Sequence, residues 1–196
     1  MIMKQLRVGF ALCGSFCTFE KAMAALEKTA EYYPGILPIL SEKSAATDTR
    51  FGTAEGWKSR MEEICGRKPL ATIAEVEPIG PKGLLDVLVI APCTGNTLAK
   101  LALGVTDTAV TMAAKAQLRN GRPVVVAVST NDGLSVSLKN IGELLCRKNV
   151  FLVPFAQDDP EGKPNSLVAD FELIPAAVEA AARGEQIQPI LQGSLE

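Results

Sequence analysis

Four short stretches of this chain could hold an anion without relying on a positive charge. They read Cys13-Gly14-Ser15-Phe16, Ser41-Glu42-Lys43-Ser44, Pro92-Cys93-Thr94-Gly95-Asn96-Thr97 and Ser129-Thr130-Asn131-Asp132-Gly133. Each offers small hydroxyl or amide side chains, and three contain glycine. Where such a stretch opens a helix, unpaired backbone N–H groups and a partial positive charge face the ligand. Glycine lets a phosphate come close, and Ser or Thr adds a short donor. For any one stretch the competing reading is an ordinary cap or turn. Four of them on one edge favour a site. The binding candidates are Gly14, Ser15 and Phe16 from the first, and Ser41 and Ser44 from the second. The third supplies Pro92, Thr94, Asn96 and Thr97, and the fourth Ser129, Thr130 and Asn131.

The chemistry available to such a site is restricted. Histidine is absent, which excludes a Ser-His-Asp triad, a Cys-His pair and every histidine-based metal site. The five cysteines, Cys13, Cys17, Cys65, Cys93 and Cys146, fit no zinc spacing and read as free thiols of a reducing compartment. Cys93 could be reactive only if the adjacent helix end lowered its pKa. Asp132 and Lys163 complete the catalytic candidates, and the residue that transfers protons is not assigned. Lys43, Arg50 and Lys163 could pair a substrate carboxylate or be plain surface charge. Phe16 could lie against a flat ring or pack under the first helix. Asn96 reads as a cap of the third helix that also reaches a ligand. Trp57 and Met61 read as core or interface.

Short apolar runs must carry these stretches. Strands are expected at 6–12, 36–40, 85–91, 123–128 and 150–153, mostly without polar alternation, as suits strands covered on both faces. Helical spacing fills 20–32, 54–65, 97–103, 106–119, 134–147 and 175–183, with Asp107 in the first turn of the fourth helix. The alternation predicts an α/β fold with a parallel, doubly wound sheet. Its ligand loops would then leave the carboxyl ends of the strands on one edge. An extra strand is expected around 71–76. Residues 156–166 read as an exposed loop. One domain over 1–185 and a tail over 186–196 are expected.

Composition narrows the partners. The 196 residues carry a net charge of −2, so no basic surplus exists to neutralise a nucleic-acid backbone. The apolar runs fall well short of the roughly 20 residues a membrane helix needs. The first residues lack a signal-peptide pattern, so a cytoplasmic protein is expected. Gly9-x4-Gly14-Ser15 is a poor P-loop, because Phe16 follows and Gly9 lies in a strand. G-x-G-x-x-G is absent, and Ser41 stands where a ribose-binding acid would. A mononucleotide with one phosphate fits best, and FMN is the natural candidate.

Residues 91–135, APCTGNTLAKLALGVTDTAVTMAAKAQLRNGRPVVVAVSTNDGLS, resemble the flavoprotein family of flavin-containing cysteine decarboxylases and flavin prenyltransferases. The shared features are the Ala-Pro-x-(Ser/Thr)-x-x-Thr-(Leu/Ile)-Ala run, a Pro-led strand and a loop ending in Leu-Ser. The Gly14-Ser15 turn and Ser41-x-x-Ser44-Ala45 match its other flavin-contacting loops. LCGSFCTFEK, ILSEKSAATDTRFG and VPFAQDDPEGKPNSLVAD extend the likeness over nearly the whole chain. The resemblance implies a three-layer, Rossmann-like, flavodoxin-type sandwich in trimer-based homo-oligomers, with an FMN site near a subunit interface. It implies an oxidoreductase subunit that helps turn a dihydropyridine dicarboxylate into its aromatic product. The setting would be the mother cell of a sporulating bacterium. A nicotinamide-binding partner subunit would carry NAD(P). It also implies that 156–166, with Asp158, Asp159, Glu161 and Lys163, closes over a small dicarboxylate.

Two departures bear on activity. The cysteine decarboxylases depend on a histidine, and this chain has none. The prenyltransferases carry an arginine where Thr130 stands and a basic residue near Asn96, which argues against a prenyl-phosphate substrate. Two rival readings stay open. One is a non-catalytic binding or scaffold subunit that activates its partner. The other is a flavin-dependent lyase or prenyltransferase that works alone.

Overall fold

Val8–Leu12 (β1) is apolar and buried at every position, which suits a strand covered on both faces. In the computed structural model, which describes residues 6–193, it is the second strand of a mostly parallel sheet. A single 3₁₀ turn at Phe16–Thr18 leads from it into Phe19–Tyr32 (α1). Leu37–Leu40 (β2), Glu42–Ala46 (α2), Ala54–Cys65 (α3) and Ile73–Val76 (α4) follow. Next come Val87–Cys93 (β3), Gly95–Leu103 (α5), Ala109–Arg119 (α6), Val124–Thr130 (β4) and Leu138–Leu145 (α7). Val150–Leu152 (β5), Phe155–Ala156 (β6), Leu167–Ala169 (β7) and Ile174–Ala182 (α8) complete the chain.

β1 pairs in parallel with β2 (Gly9 opposite Leu37) and with β3 (Val8 opposite Val87). β3 pairs in parallel with β4, and β4 with β5. The chain therefore steps outward to β2 and then crosses β1 to reach β3. The loops after β1 and β3 diverge at that reversal, which is where open α/β sheets bind ligands. Phe10, Leu12, Leu88, Ile90 and Val126 fill the sheet's interior, each fully buried. α1 packs with α8 beside β3, while α5 touches α6, α7 and β4. The result is the doubly wound three-layer sandwich that the strand–helix alternation predicts.

Several expectations need correction. Where a strand is expected around 71–76, residues 73–76 form the helix α4. Thr72 caps it, accepting from the Glu75 N–H, while Glu75 accepts from the Thr72 N–H in a reciprocal capping box. That local device outweighs the strand preference of the short apolar run. The third helix starts at Gly95, two residues early, because Thr94 is its cap and accepts from the Thr97 N–H. Asn96 is therefore not the cap. The fourth helix starts at Ala109 behind Thr108. Asp107 lies outside it and pairs with Lys100 at 2.8 Å. Residues 134–137 are turn, and the fifth helix begins at Leu138.

The sheet is not wholly parallel. β7 runs antiparallel to the end of β4, with Ser129 opposite Val168, and β6 pairs antiparallel with β7. The tail docks on its own chain: the Gln186 side chain accepts from the Leu152 N–H and donates to its carbonyl. Phe155 donates to the Ile190 carbonyl. The first five and last three residues, including part of the expected tail, lie outside the described residues. No helix among the described residues is long and apolar enough to cross a membrane.

Candidate functional site

The ends of β1, β3 and β4 meet at one crest. The Cys13 N–H donates to the Pro92 carbonyl at 3.3 Å, and the Ser41 N–H to the Leu12 carbonyl at 2.9 Å. These bonds tie the first three loops together before any side chain is considered. The first loop turns sharply, with the Ser15 N–H on the Cys13 carbonyl and the Thr18 N–H on the Ser15 carbonyl. The Ser15 and Thr18 hydroxyls then meet Ser129 of the fourth loop, at 2.9 and 3.1 Å from its Oγ. Three hydroxyls from two loops thus form one connected cluster.

Two cavities open at the crest and share Gly14 and Thr94. The smaller, about 180 Å³, is lined by Ser15, Thr18, Ser129, Thr130 and Asn131, with Asp158 and Lys163 across it. The larger, about 640 Å³, is lined by Phe16, Ser41, Glu42, Lys43, Asn96 and Thr97, with Thr108 at its side. A Cβ added to Gly14 would meet only the Phe16 ring, at 3.4 Å. The glycine thus leaves room where the two cavities join. Phe16 lies between the larger cavity and the first helix. Its ring lines the larger cavity and lies 5.0 Å from that of Phe19.

Other candidates lie behind this surface. Ser44 is fully buried, 2.8 Å from the Ser41 hydroxyl, and supports the Ser41 cap. Pro92 and Cys93 are buried at the end of β3. Asp132 lines neither cavity. Its Oδ1 accepts from the hydroxyls of Thr130 and Ser137, which fixes the fourth loop. Arg50 stacks over the ring of its neighbour Phe51, and Lys43 is exposed at the larger cavity. Trp57 is core, edge-on to Phe19 with ring centroids 5.4 Å apart.

Three of the five thiols are poorly suited to nucleophilic work. Burial pushes Cys13 up to about 12, although hydrogen bonds with Thr97 and the Thr94 backbone pull it back part of the way. Burial, reinforced by Cys13, raises Cys93 well above its usual range. Cys65 is likewise pushed up to about 12 by burial. Titration of the folded chain with a thiol reagent is expected to modify Cys17 and Cys146 quickly, because both are exposed. Cys13, Cys65 and Cys93 should react only on unfolding. Fast labelling of Cys93 would contradict this arrangement.

The loop of residues 157–166 closes the smaller cavity from outside. It is held by Gln157 Nε2 on the Pro164 carbonyl and by the Leu134 N–H on the Asn165 carbonyl. Lys163 lies 3.5 Å from Asp158. Burial alone would raise the Asp158 carboxyl. Hydrogen bonding with Ser166, its own backbone and the Lys163 charge outweigh that and hold it below the usual range. A carboxylate depressed on folding adds stability above its unfolded pKa, and this is lost as pH falls through the folded value. Asp158→Asn is therefore expected to lower the unfolding temperature near neutral pH, with the gap narrowing as pH falls below the ordinary aspartate range. A gap of equal size above and below that range would contradict the role of the charge.

Thr18 and Ser166 also line the smaller cavity, and Lys100 and Thr108 the larger, and none of the four is among the residues expected from the sequence. Thr18 carried a faint signal, one helical turn beyond Ser15. The other three reach the crest only through the tertiary fold.

A Rossmann-like sandwich with hydroxyl-rich loops at the switch point defines a nucleotide- or flavin-binding class of protein. The Flavoprotein family model matches residues 4–173, and the chain belongs to that family. It is 44% identical over 189 residues to the B subunit of dipicolinate synthase from Bacillus subtilis (strain 168), covering 96% of this chain and 94% of that protein. The crystal structure of the dipicolinate synthase B subunit from Bacillus halodurans C superimposes with a TM-score of 0.89 at 42% identity, covering all of both chains. The FMN-dependent cysteine decarboxylase SpaF shares the fold at a TM-score of 0.66 and 21% identity, over 92% of this chain and 97% of that one.

Proposed function

We propose that this chain is the flavoprotein-type subunit of a dipicolinate synthase. It would bind an FMN-type ligand at the crest and help oxidise a dihydrodipicolinate-type precursor to dipicolinic acid. The observation that carries the binding half of this reading is the pair of joined cavities meeting at Gly14 and Thr94. The substrate half is supported by the full-length likeness to the dipicolinate synthase B subunit. The partner would be the nicotinamide-binding A subunit of the same synthase, which carries NAD(P). A trimer-based homo-oligomer and a sporulating cell as its setting belong to the same reading.

The residues present fit a flavin mononucleotide. Thr18 already donates to the Ser15 carbonyl, so in the Ser15–Thr18–Ser129 cluster the Ser15 hydroxyl would turn from Ser129 to one phosphate, to which the open position at Gly14 gives close approach. Phe16, Thr94 and Asn96 line a cavity wide enough for a flat ring. Bound there, FMN would supply the hydride-accepting chemistry. The chain's own work is to bind, orient and shield. Aromatising the precursor removes two hydrogens, one as hydride and one as a proton. The hydride would end on the nicotinamide of the partner, and the proton in solvent. Lys163, beside the smaller cavity and 3.5 Å from Asp158, would add a cation for the ligand's anionic group. Asp132 is committed to its own loop and Cys93 to the core, so neither is assigned a chemical step.

One observation favours a second reading, a non-catalytic subunit that activates its partner. Histidine is absent, and Cys13, Cys65 and Cys93 are buried and held as thiols. Purifying the chain with and without its nicotinamide-binding partner separates the two. The first reading expects flavin absorbance on this chain and aromatic product only when both proteins are present. A colourless chain that still raises the partner's rate supports the second. A partner that reaches its full rate alone rejects both.

A further inference from the structure

The larger cavity contains one charged atom that the fold leaves unanswered. Glu42 opens α2, and its Oε1 accepts from the Ala109 N–H at 2.9 Å, at the start of α6. Its Oε2 is buried and has no hydrogen-bond partner among the described residues. Two cations line the same cavity, but neither forms an ion pair with Glu42 among the described residues. Lys100 is engaged by Asp107 at 2.8 Å, and Lys43 is exposed to solvent. A buried carboxylate oxygen without a donor is costly, so such an atom in a ligand cavity calls for a donor on the ligand. The smaller cavity differs: it carries the linked Ser15, Thr18 and Ser129 hydroxyls, and its one cation, Lys163, lies 3.5 Å from Asp158.

We propose that Glu42 sets specificity: its Oε2 accepts a hydrogen bond from a ligand hydroxyl or N–H in the larger cavity. The ligand's anionic end then lies among Ser15, Thr18, Ser129 and Lys163. The occupant is thus two-ended, with a neutral, donor-bearing part beside Glu42 and one anionic group beyond Gly14. This rests on the crest being the ligand site, as proposed above.

The test is titration of the full chain with FMN and with riboflavin, which lacks the phosphate. Glu42→Gln keeps a carbonyl for the Ala109 N–H and places an amide donor where Oε2 stands. It should weaken both ligands by a similar factor, about 10-fold or more. Lys163→Met should weaken FMN and spare riboflavin. Lys115→Ala, at an exposed position of α6, touches neither cavity and should leave both affinities unchanged. An unchanged Glu42→Gln affinity would make Glu42 a helix cap only and overturn the proposal. Tighter FMN binding with riboflavin unaffected would place the phosphate beside Glu42 and also overturn it. If the parent takes neither flavin, the cofactor reading falls and the probe becomes pyridine-2,6-dicarboxylate, which offers no donor. Glu42→Gln should then bind it more tightly than the parent. Equal or weaker binding would refute the role of Glu42 independently.

Discussion

Replacing Gly14 with leucine is expected to cut flavin affinity by about 100-fold or more while shifting the unfolding temperature by only a few degrees. Gly14 is the point shared by the two cavities, with Thr94. A branched side chain there would enter the space where the ligand's two ends must connect. It should not strain the fold. Gly14 is not among the residues with positive φ, and its added Cβ would make ordinary contact with Phe16 alone. Binding and stability are therefore expected to separate. Fluorescence titration with FMN and calorimetric unfolding of the same preparation check this. An unimpaired affinity would show that the ligand does not pass Gly14.

Gly95→Ala should do the reverse, damaging fold and site together. An added Cβ at Gly95 would stand 2.7 Å from each of three atoms: Asp132 Oδ1, Ser137 Oγ and Thr130 Oγ1. These atoms are bonded to one another and fix the fourth loop, so they cannot step aside independently. Overpacking of this kind costs about 1–3 kcal/mol, which for a chain of this size lowers the unfolding temperature by roughly 2–10 °C. Thr130 lines the smaller cavity, so ligand affinity should fall as well. Removing one obstructing atom should recover part of the loss. Gly95→Ala with Ser137→Ala is expected to be more stable than the sum of the two single changes implies. Strict additivity in calorimetric unfolding would mean that the loop is not packed against α5 as described.

The parallel strands were legible because continuous apolar runs have few other uses in a chain of this composition. The crest loops were legible for a related reason: small hydroxyl or amide residues follow four of the five such runs. What stayed hidden has identifiable causes. β6 and β7 are two and three residues long, too short to show a period. Thr72 and Glu75 did spell a capping box, but Ala71, Ile73 and Val76 gave a competing strand signal. Cys93 and Thr94 are adjacent in sequence, and only the local backbone decides which one lines a cavity. Thr94 does, and Cys93 goes to the core. Nothing in the sequence singles out Glu42, which lies in the first turn of the short α2. Its importance depends on α6 arriving from 67 residues away to occupy one of its two oxygens.

The most direct measurement of the central claim is a crystal structure of the full chain soaked with flavin mononucleotide. The ligand is predicted to lie across Gly14 and Thr94, with its phosphate among the Ser15, Thr18 and Ser129 hydroxyls and its ring beside Phe16. Density at another face of the sheet, or none at this crest at saturating flavin, would contradict it.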